Sequence, residues 1–381
     1  MPSARRSPET GSSPPFRADH VGSLLRPPEL LRAREEHAVG KISAAELRAI
    51  EDEAIRGVVA LQRDVGLRTV TDGEFRRASW HMDFIYQIGG ITQVPGHLTS
   101  RFTNPGGTIT FTPPAIRVTR KVTMDTTIFG DDFEFLRSVA PAGMTPKLTI
   151  PAPSMVHYRS GLAAVCDESV YPDTDEFWAD VAAAYGEQVR RIGALGCEYL
   201  QFDDTSLAYL NDPAQRAYIR ERGEDAESMH LRYIALTNAA LASRPAGMTV
   251  TTHLCRGNYR SSWVASGGYD YVAEALFSEL GVDGFFLEYD DERSGGFEPL
   301  RFVPKGKRVV LGLVTTKRPE LESKDALKRR IEAASKYVDL DQLCLSGQCG
   351  FSSTAEGNAL TIDDEVAKLR LITETAAEVW G

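Results

Sequence analysis

Short apolar runs rich in β-branched and aromatic residues alternate along the chain with longer stretches of helical periodicity. Eight such runs occur, at residues 16–24, 68–74, 147–152, 198–203, 248–255, 284–289, 308–314 and 342–346. In residues 43–65, Leu47, Ile50, Ala54, Val58 and Leu61 recur at helical spacing behind Ser43 and Glu46, the two ends of a capping box. Further helical patterns span 173–195, with Asp173 and Thr174 as cap candidates, and 212–241, 271–280, 324–337 and 362–379. Strand-like runs mostly followed by helices predict an α/β chain folded as a closed (β/α)8 TIM barrel. An open doubly wound sheet would need a Gly-rich phosphate turn after its first strand, and V-G-S-L-L-R-P is not one. Residues 86–126 break the alternation with Thr, Gly and Pro between short alternating stretches (I-T-Q-V-P-G, T-I-T-F-T-P-P, I-R-V-T-R-K-V). They predict a β-hairpin insertion after the second strand, in the role of a lid or of a contact within a homo-oligomer.

Composition narrows the picture. An apolar fraction of 42% and a charged fraction of 25% are ordinary for a globular protein, and 381 residues suit one large barrel. The expected organisation is a single catalytic barrel over 16–381 behind a Ser/Pro/Gly-rich flexible tail at 1–15. Arg5 and Arg6 have no apolar segment behind them, so the tail does not read as a secretory signal. No apolar stretch reaches the about 18 residues of a membrane span. With 43 basic against 53 acidic residues the net charge is −10, which argues against nucleic acid or an anionic membrane as partner. The five cysteines, Cys166, Cys197, Cys255, Cys344 and Cys349, are few, odd in number and scattered, a cytoplasmic pattern.

Barrel active sites form at the C-terminal ends of the strands. The polar residues there are Ser23, Asp72, Glu74, Ser154, His157, Asp203, Asp204, His253, Cys255, Glu288, Thr315, Thr316 and Cys349. His253 and Cys255 are two apart at the end of T-V-T-T-H-L-C, so period-two geometry puts both on one face of a strand. Glu288 closes G-F-F-L-E, and Cys349 follows L-C-L-S-G. Two thiolates, an imidazole and a carboxylate can complete a tetrahedral Zn2+ shell, and zinc holds a bound thiol as a nucleophilic thiolate. H-x-C is common by chance, however, and from spacing alone a structural role for these residues is favoured.

The motifs together are more specific. T-H-L-C (His253, Cys255), F-L-E (Glu288) and C-G (Cys349, Gly350) resemble, in order and barrel position, the zinc-ligand pattern of the cobalamin-independent methionine synthase family. H-V-G-S-L-L-R-P from His20, D-G-E-F-R from Asp72 and L-Q-F-D-D-T from Leu200 resemble that family's early G-S loop, its G-E-F segment and its I-Q-x-D motif. The likeness spans residues 16–381 and corresponds to the catalytic C-terminal half of the long enzymes. It implies a zinc-dependent methyltransferase acting on homocysteine. His253, Cys255, Glu288 and Cys349 would then be metal ligands, Glu74 and Asp203 amine anchors, and Ser23 a contact to the substrate carboxylate. Asp204 neighbours the anchor and is counted with the substrate-binding set.

Departures from that pattern concern the methyl donor. The run K-L-T-I-P-A-P-S-M lacks the family's Trp, and T-T-K-R-P puts Lys317 where the family has a His. Methyl-tetrahydrofolate with a single glutamate is therefore expected to be a poor donor. His20, His81 and His157 are alternative general acids, with His157 favoured because it follows a strand end, and it is grouped with Asp203 as catalytic. The single-barrel form is also similar to epoxyalkane:coenzyme M transferases, which makes thiol addition to another electrophile the alternative. A non-catalytic zinc- or thiol-binding relative is the third. Coenzyme M has a sulfonate and no amine, so two acidic anchors disfavour it, while Arg17, Arg76, Arg77 and Arg256 keep an anionic substrate in play.

Overall fold

A computed structural model describes residues 13–96 and 98–381, so the tail expected at 1–15 lies, but for its last three residues, outside the described residues. The strands in chain order are β1 (Thr69–Val70), β2 (Gly89–Val94), β3 (Ser100–Asn104), β4 (Gly107–Phe111), β5 (Ala115–Thr123), β6 (Thr145–Pro151), β7 (Tyr199–Asp204), β8 (Thr249–Leu254), β9 (Gly284–Glu288), β10 (Arg308–Val314) and β11 (Leu343–Gly347). Seven of them form one curled parallel sheet in the order β1-β6-β7-β8-β9-β10-β11. Nearly every residue of β6 to β11 is buried, the signature of parallel strands covered on both faces.

The first predicted run does not form a regular strand. Ala18 bridges Leu345 of β11 in parallel, and on the other side the Leu24 amide donates to the Gly73 carbonyl at 3.1 Å. Residues 16–24 thus span from the last strand of the sheet to the turn beyond the first. Gly22, at a φ of +145°, interrupts the extended backbone there.

Helices cover the sheet much as their periodicity predicts. Ala44–Asp64 starts from Ser43 with the capping box formed, and Thr174–Ala194 starts from the Asp173 cap. The pattern over 212–241 proves to be two helices, Pro213–Glu221 and Met229–Leu241. Gly223 leaves the first at a φ of +79°, and the Asp225 carboxylate takes the amides of Glu227 and Ser228, so side chain replaces helix in between. Between β1 and β6, β2 pairs antiparallel with β5 and β3 with β4, giving two nested ribbons. No described helix is long and apolar enough to cross a membrane.

One buried carboxyl links the last helix to the loop after the first run. In Ile362–Trp380, the Glu365 Oε2 accepts the Leu25 amide at 2.8 Å, and burial pushes this carboxyl from 4.5 up to about 8. A carboxyl raised on folding adds stability that is whole below its unfolded value and is lost as pH climbs through the folded one. Glu365→Gln keeps an acceptor for Leu25 and removes the charge. It should melt with the wild type near about pH 4.5 and be more stable by on the order of a few kcal/mol near about pH 9. Parallel melting curves across that window would refute the assignment.

Candidate functional site

The strand ends bring four predicted residues together. One ligand atom each from His253, Cys255, Glu288 and Cys349 lies within 4.8 Å of all the others, and all four residues are buried. His253 is the last inward position of β8, in register with Asp203 of β7, and Glu288 ends β9. Cys349 follows β11, where Gly350 permits a close approach: a Cβ there would lie 1.9 Å from the Ser23 Oγ. The Cys255 and Cys349 sulfurs are 3.6 Å apart, neither in a disulfide.

Both ring nitrogens of His253 and the Oε2 of Glu288 are buried without a hydrogen-bond partner. Arg256 and Arg293 lie at 3.9 and 3.8 Å from that Glu288 oxygen, but the His253 nitrogens are orphaned, which is costly in an interior. With one atom of each residue within 4.8 Å of the others, the set can hold a metal ion. Glu288 is oriented from outside. Its Oε1 accepts the Arg256 amide at 3.1 Å and the Asn258 side-chain amide at 2.7 Å. The Gly257 amide and the Asn258 side chain reach the Cys255 sulfur at 3.3 and 3.5 Å. Burial, then the neighbouring Cys255, raise Glu288 to about 7. Sequence reasoning missed Asn258, although H-L-C-R-G-N places an amide three residues past Cys255.

Two further acids and Ser23 line the same cavity, which measures about 280 Å3. Glu74 is held at a φ of +61°, unusual for a residue with a side chain. The turn that holds it is built by its own motif. Asp72 Oδ1 accepts the Glu74 amide at 2.9 Å, and the preceding Gly73 is also left-handed, at +67°. Arg26 donates to the Glu74 carbonyl at 2.7 Å. The Glu74 Oε1 accepts the Thr149 hydroxyl at 2.8 Å, while its buried Oε2 has no partner. Asp203 Oδ1 accepts from Gln201 at 2.7 Å. Burial raises Asp203 to about 7, and burial, against the pull of Arg77, raises Glu74.

Other predicted residues sit elsewhere. His157 is not among the cavity's lining residues. Its Nδ1 meets the Tyr233 hydroxyl at 2.8 Å and its Nε2 meets Glu224 at 3.0 Å, so both nitrogens are engaged in the packing between helices. Asp204 is also turned away. Its oxygens take the Ser206 amide and hydroxyl and the Ser154 hydroxyl, capping the turn after β7. Lys317 pairs with Asp290 and does not line the cavity. Of the three candidate histidines, the structure brings only His81 to the cavity. Its Nδ1 lies 3.2 Å from the Ser79 hydroxyl, and its buried Nε2 has no partner. Aromatic residues from other segments, Trp80, Tyr86, Phe102, Phe111 and Tyr259, line the cavity.

His253, Cys255 and Cys349 share one cavity with Glu74 of the G-E-F turn. The family model described as "Cobalamin-independent synthase, Catalytic domain" matches residues 16–377. The chain belongs to this family. YxjH of Bacillus subtilis (strain 168), an uncharacterized protein, is 44% identical over 367 residues, covering 96% of this chain and 95% of its own. A methionine synthase of Pyrococcus abyssi (strain GE5 / Orsay) is 22% identical over 335 residues, 87% of this chain and 84% of its own. Among solved structures, a candidate vitamin-B12-independent methionine synthase from Listeria monocytogenes superposes with a TM-score of 0.76 at 36% identity, covering 96% of this chain and 98% of that one. A B12-independent methionine synthase from Shewanella sp. W3-18-1, solved with selenomethionine, gives a TM-score of 0.67 at 19% identity over 95% and 97% of the two chains. That second likeness concerns the fold alone.

Proposed function

We propose that the chain is a zinc-dependent S-methyltransferase that moves a methyl group from a donor to homocysteine, giving methionine, and that its curled sheet closes with residues 16–24 as a (β/α)8 barrel. The observation that carries this is that His253, Cys255 and Cys349, clustered with Glu288 within 4.8 Å, line the same cavity as the two buried carboxyls of Glu74 and Asp203. Those four residues would hold the ion. Bound there, zinc supplies the Lewis acidity that keeps a substrate thiol as thiolate near neutral pH.

The chain's own residues supply the rest. Glu74 and Asp203 are carboxyls made reluctant to ionise by burial, and an ammonium between them restores both to carboxylates with charge-assisted hydrogen bonds. That selects an amino-acid thiol over a thiol bearing only a sulfonate. Ser23, beside Gly350, is placed for the substrate carboxylate. The thiolate sulfur forms a bond to the methyl carbon as the donor atom leaves with the bonding pair. With Glu74 and Asp203 engaged by the ammonium, His81, which lines the cavity and has a partnerless Nε2, is the residue assigned to hand that leaving atom a proton.

The test is methionine formation by zinc-loaded protein from homocysteine and a donor panel of methyl-tetrahydrofolate, its polyglutamate, methylcobalamin and S-methylmethionine. No methionine from any of them would refute the proposal. Within it, Asp203→Asn should weaken homocysteine binding by roughly tenfold or more, the worth of a charged hydrogen bond, while zinc content stays at the wild-type level. Homocysteine titration by calorimetry checks this, and unchanged affinity would remove Asp203 as an amine anchor.

A further inference from the structure

The geometry points to Arg159 as the binding residue for an anionic group on the alkyl donor, in a cleft roofed by the β3–β4 ribbon; this rests on the proposed two-substrate reaction. The arginines that the sequence offered for an anion are all spent internally. Arg17 donates to the carbonyls of Asp341 and Leu343, and Arg76 pairs with Asp52, Glu51 and Asp132. Arg77 pairs with Glu74, and Arg256 is tied to the Gly267 and Glu288 carbonyls. Arg159 is different. It is the one Arg or Lys among the described residues lining the cavity, and no described carboxylate lies within ion-pair distance of it. Its guanidinium has a single long contact, 3.4 Å to the Ser100 hydroxyl, and its buried Nε has no partner. A guanidinium left in that state is a ready fork for a carboxylate or phosphate.

Its position assigns the anion to the donor and not to the thiol. Arg159, Pro113 and Pro114 form a wall common to the ligand-set cavity and to a second, outer cavity of about 400 Å3. The amine anchors and Ser23 line only the inner cavity, whereas Arg159 faces both. The ribbon makes the roof. Thr103 and Trp263 exchange backbone hydrogen bonds of 2.7 and 3.0 Å, and the Phe102 and Phe111 rings pack on Tyr259 at 5.1 and 5.2 Å. The ribbon is thereby fastened to the loop that follows Cys255. A donor with a flat or apolar body under these rings and an acidic group extending outward past Arg159 matches both features.

N-benzoyl-L-glutamate, an aromatic dianion, and its uncharged dimethyl ester are the probes, titrated by calorimetry into the zinc-loaded full chain, Arg159→Gln and Arg159→Lys. The dianion should bind the wild type better than the ester does. Arg159→Gln should weaken it by about tenfold or more, with partial recovery in Arg159→Lys, and leave the ester unaffected. Homocysteine should bind wild type and Arg159→Gln alike. Equal dianion affinity in wild type and Arg159→Gln overturns the inference, as does no dianion binding to the wild type, or a loss confined to homocysteine. If the dianion depends on Arg159 but the wild type binds no homocysteine and forms no methionine, the anion site stands and the proposed reaction falls.

Discussion

Cys349→Ala is expected to strip the protein of nearly all its zinc, from about one ion per chain to a trace, and to abolish methionine formation with it. The reason lies in the completeness of the set. On the proposed reading, four donors within 4.8 Å of one another would complete a tetrahedral shell, and removing one thiol would leave a three-residue site that competes poorly for the ion. Cys344→Ala is the matched control. Cys344 is equally buried, on β11, but packs in the small cluster with Val21, Phe286 and Val310, and burial raises its thiol to about 11. It should lose some stability through the cavity and keep its zinc. Metal analysis of both purified variants decides the matter, and equal zinc in the two would put Cys349 outside the shell.

The convergence of His253, Cys255, Glu288 and Cys349 was legible in the sequence because strands convert spacing into direction. Period two puts His253 and Cys255 on one face, and parallel register puts Asp203 beside His253. The strand-end rule then collects Glu288 and Cys349 from far along the chain. The same rule overreached at His157 and Asp204. Both follow strands, but the chain turns immediately beyond β6 and β7, and those turns point them into helix packing and a cap. Nothing in a one-dimensional pattern reports such a turn. Arg159 and Asn258 were missed for a related reason: each acts from a loop, where no periodicity fixes a side chain's direction. The split of 212–241 was foreshadowed by R-G-E-D, yet apolar spacing on either side of it carried the helical pattern across. The first run shows the limit of hydrophobicity alone, since it is buried like a strand while Gly22 breaks its ladder.

His81→Asn is expected to lower kcat by about 10²–10⁴-fold, the range of a positioned general acid, while zinc content and homocysteine affinity stay near wild type. The ring, on a residue that lines the cavity, is held by Ser79 at 3.2 Å and by Trp80, whose ring centroid is 4.3 Å away, and its buried Nε2 has no partner. Burial, then Arg159, hold its pKa well below the usual 6.5 in the empty site. An anion seated on Arg159 cancels the second of these, so donor binding should itself draw a proton onto His81. Asparagine retains the hydrogen bond to Ser79 but cannot transfer a proton, so the deficit should appear in kcat and not in KM for homocysteine. His157→Asn gives the contrast. Losing the contacts to Tyr233 and Glu224 should cost about 1–3 kcal/mol of stability, with kcat per folded molecule retained. Steady-state kinetics with the best donor of the panel, alongside melting curves, separates the two roles. Turnover of His81→Asn within about threefold of wild type, or a folded His157→Asn with kcat reduced about 10²-fold, would return the proton-donor role to the strand end where the sequence first put it.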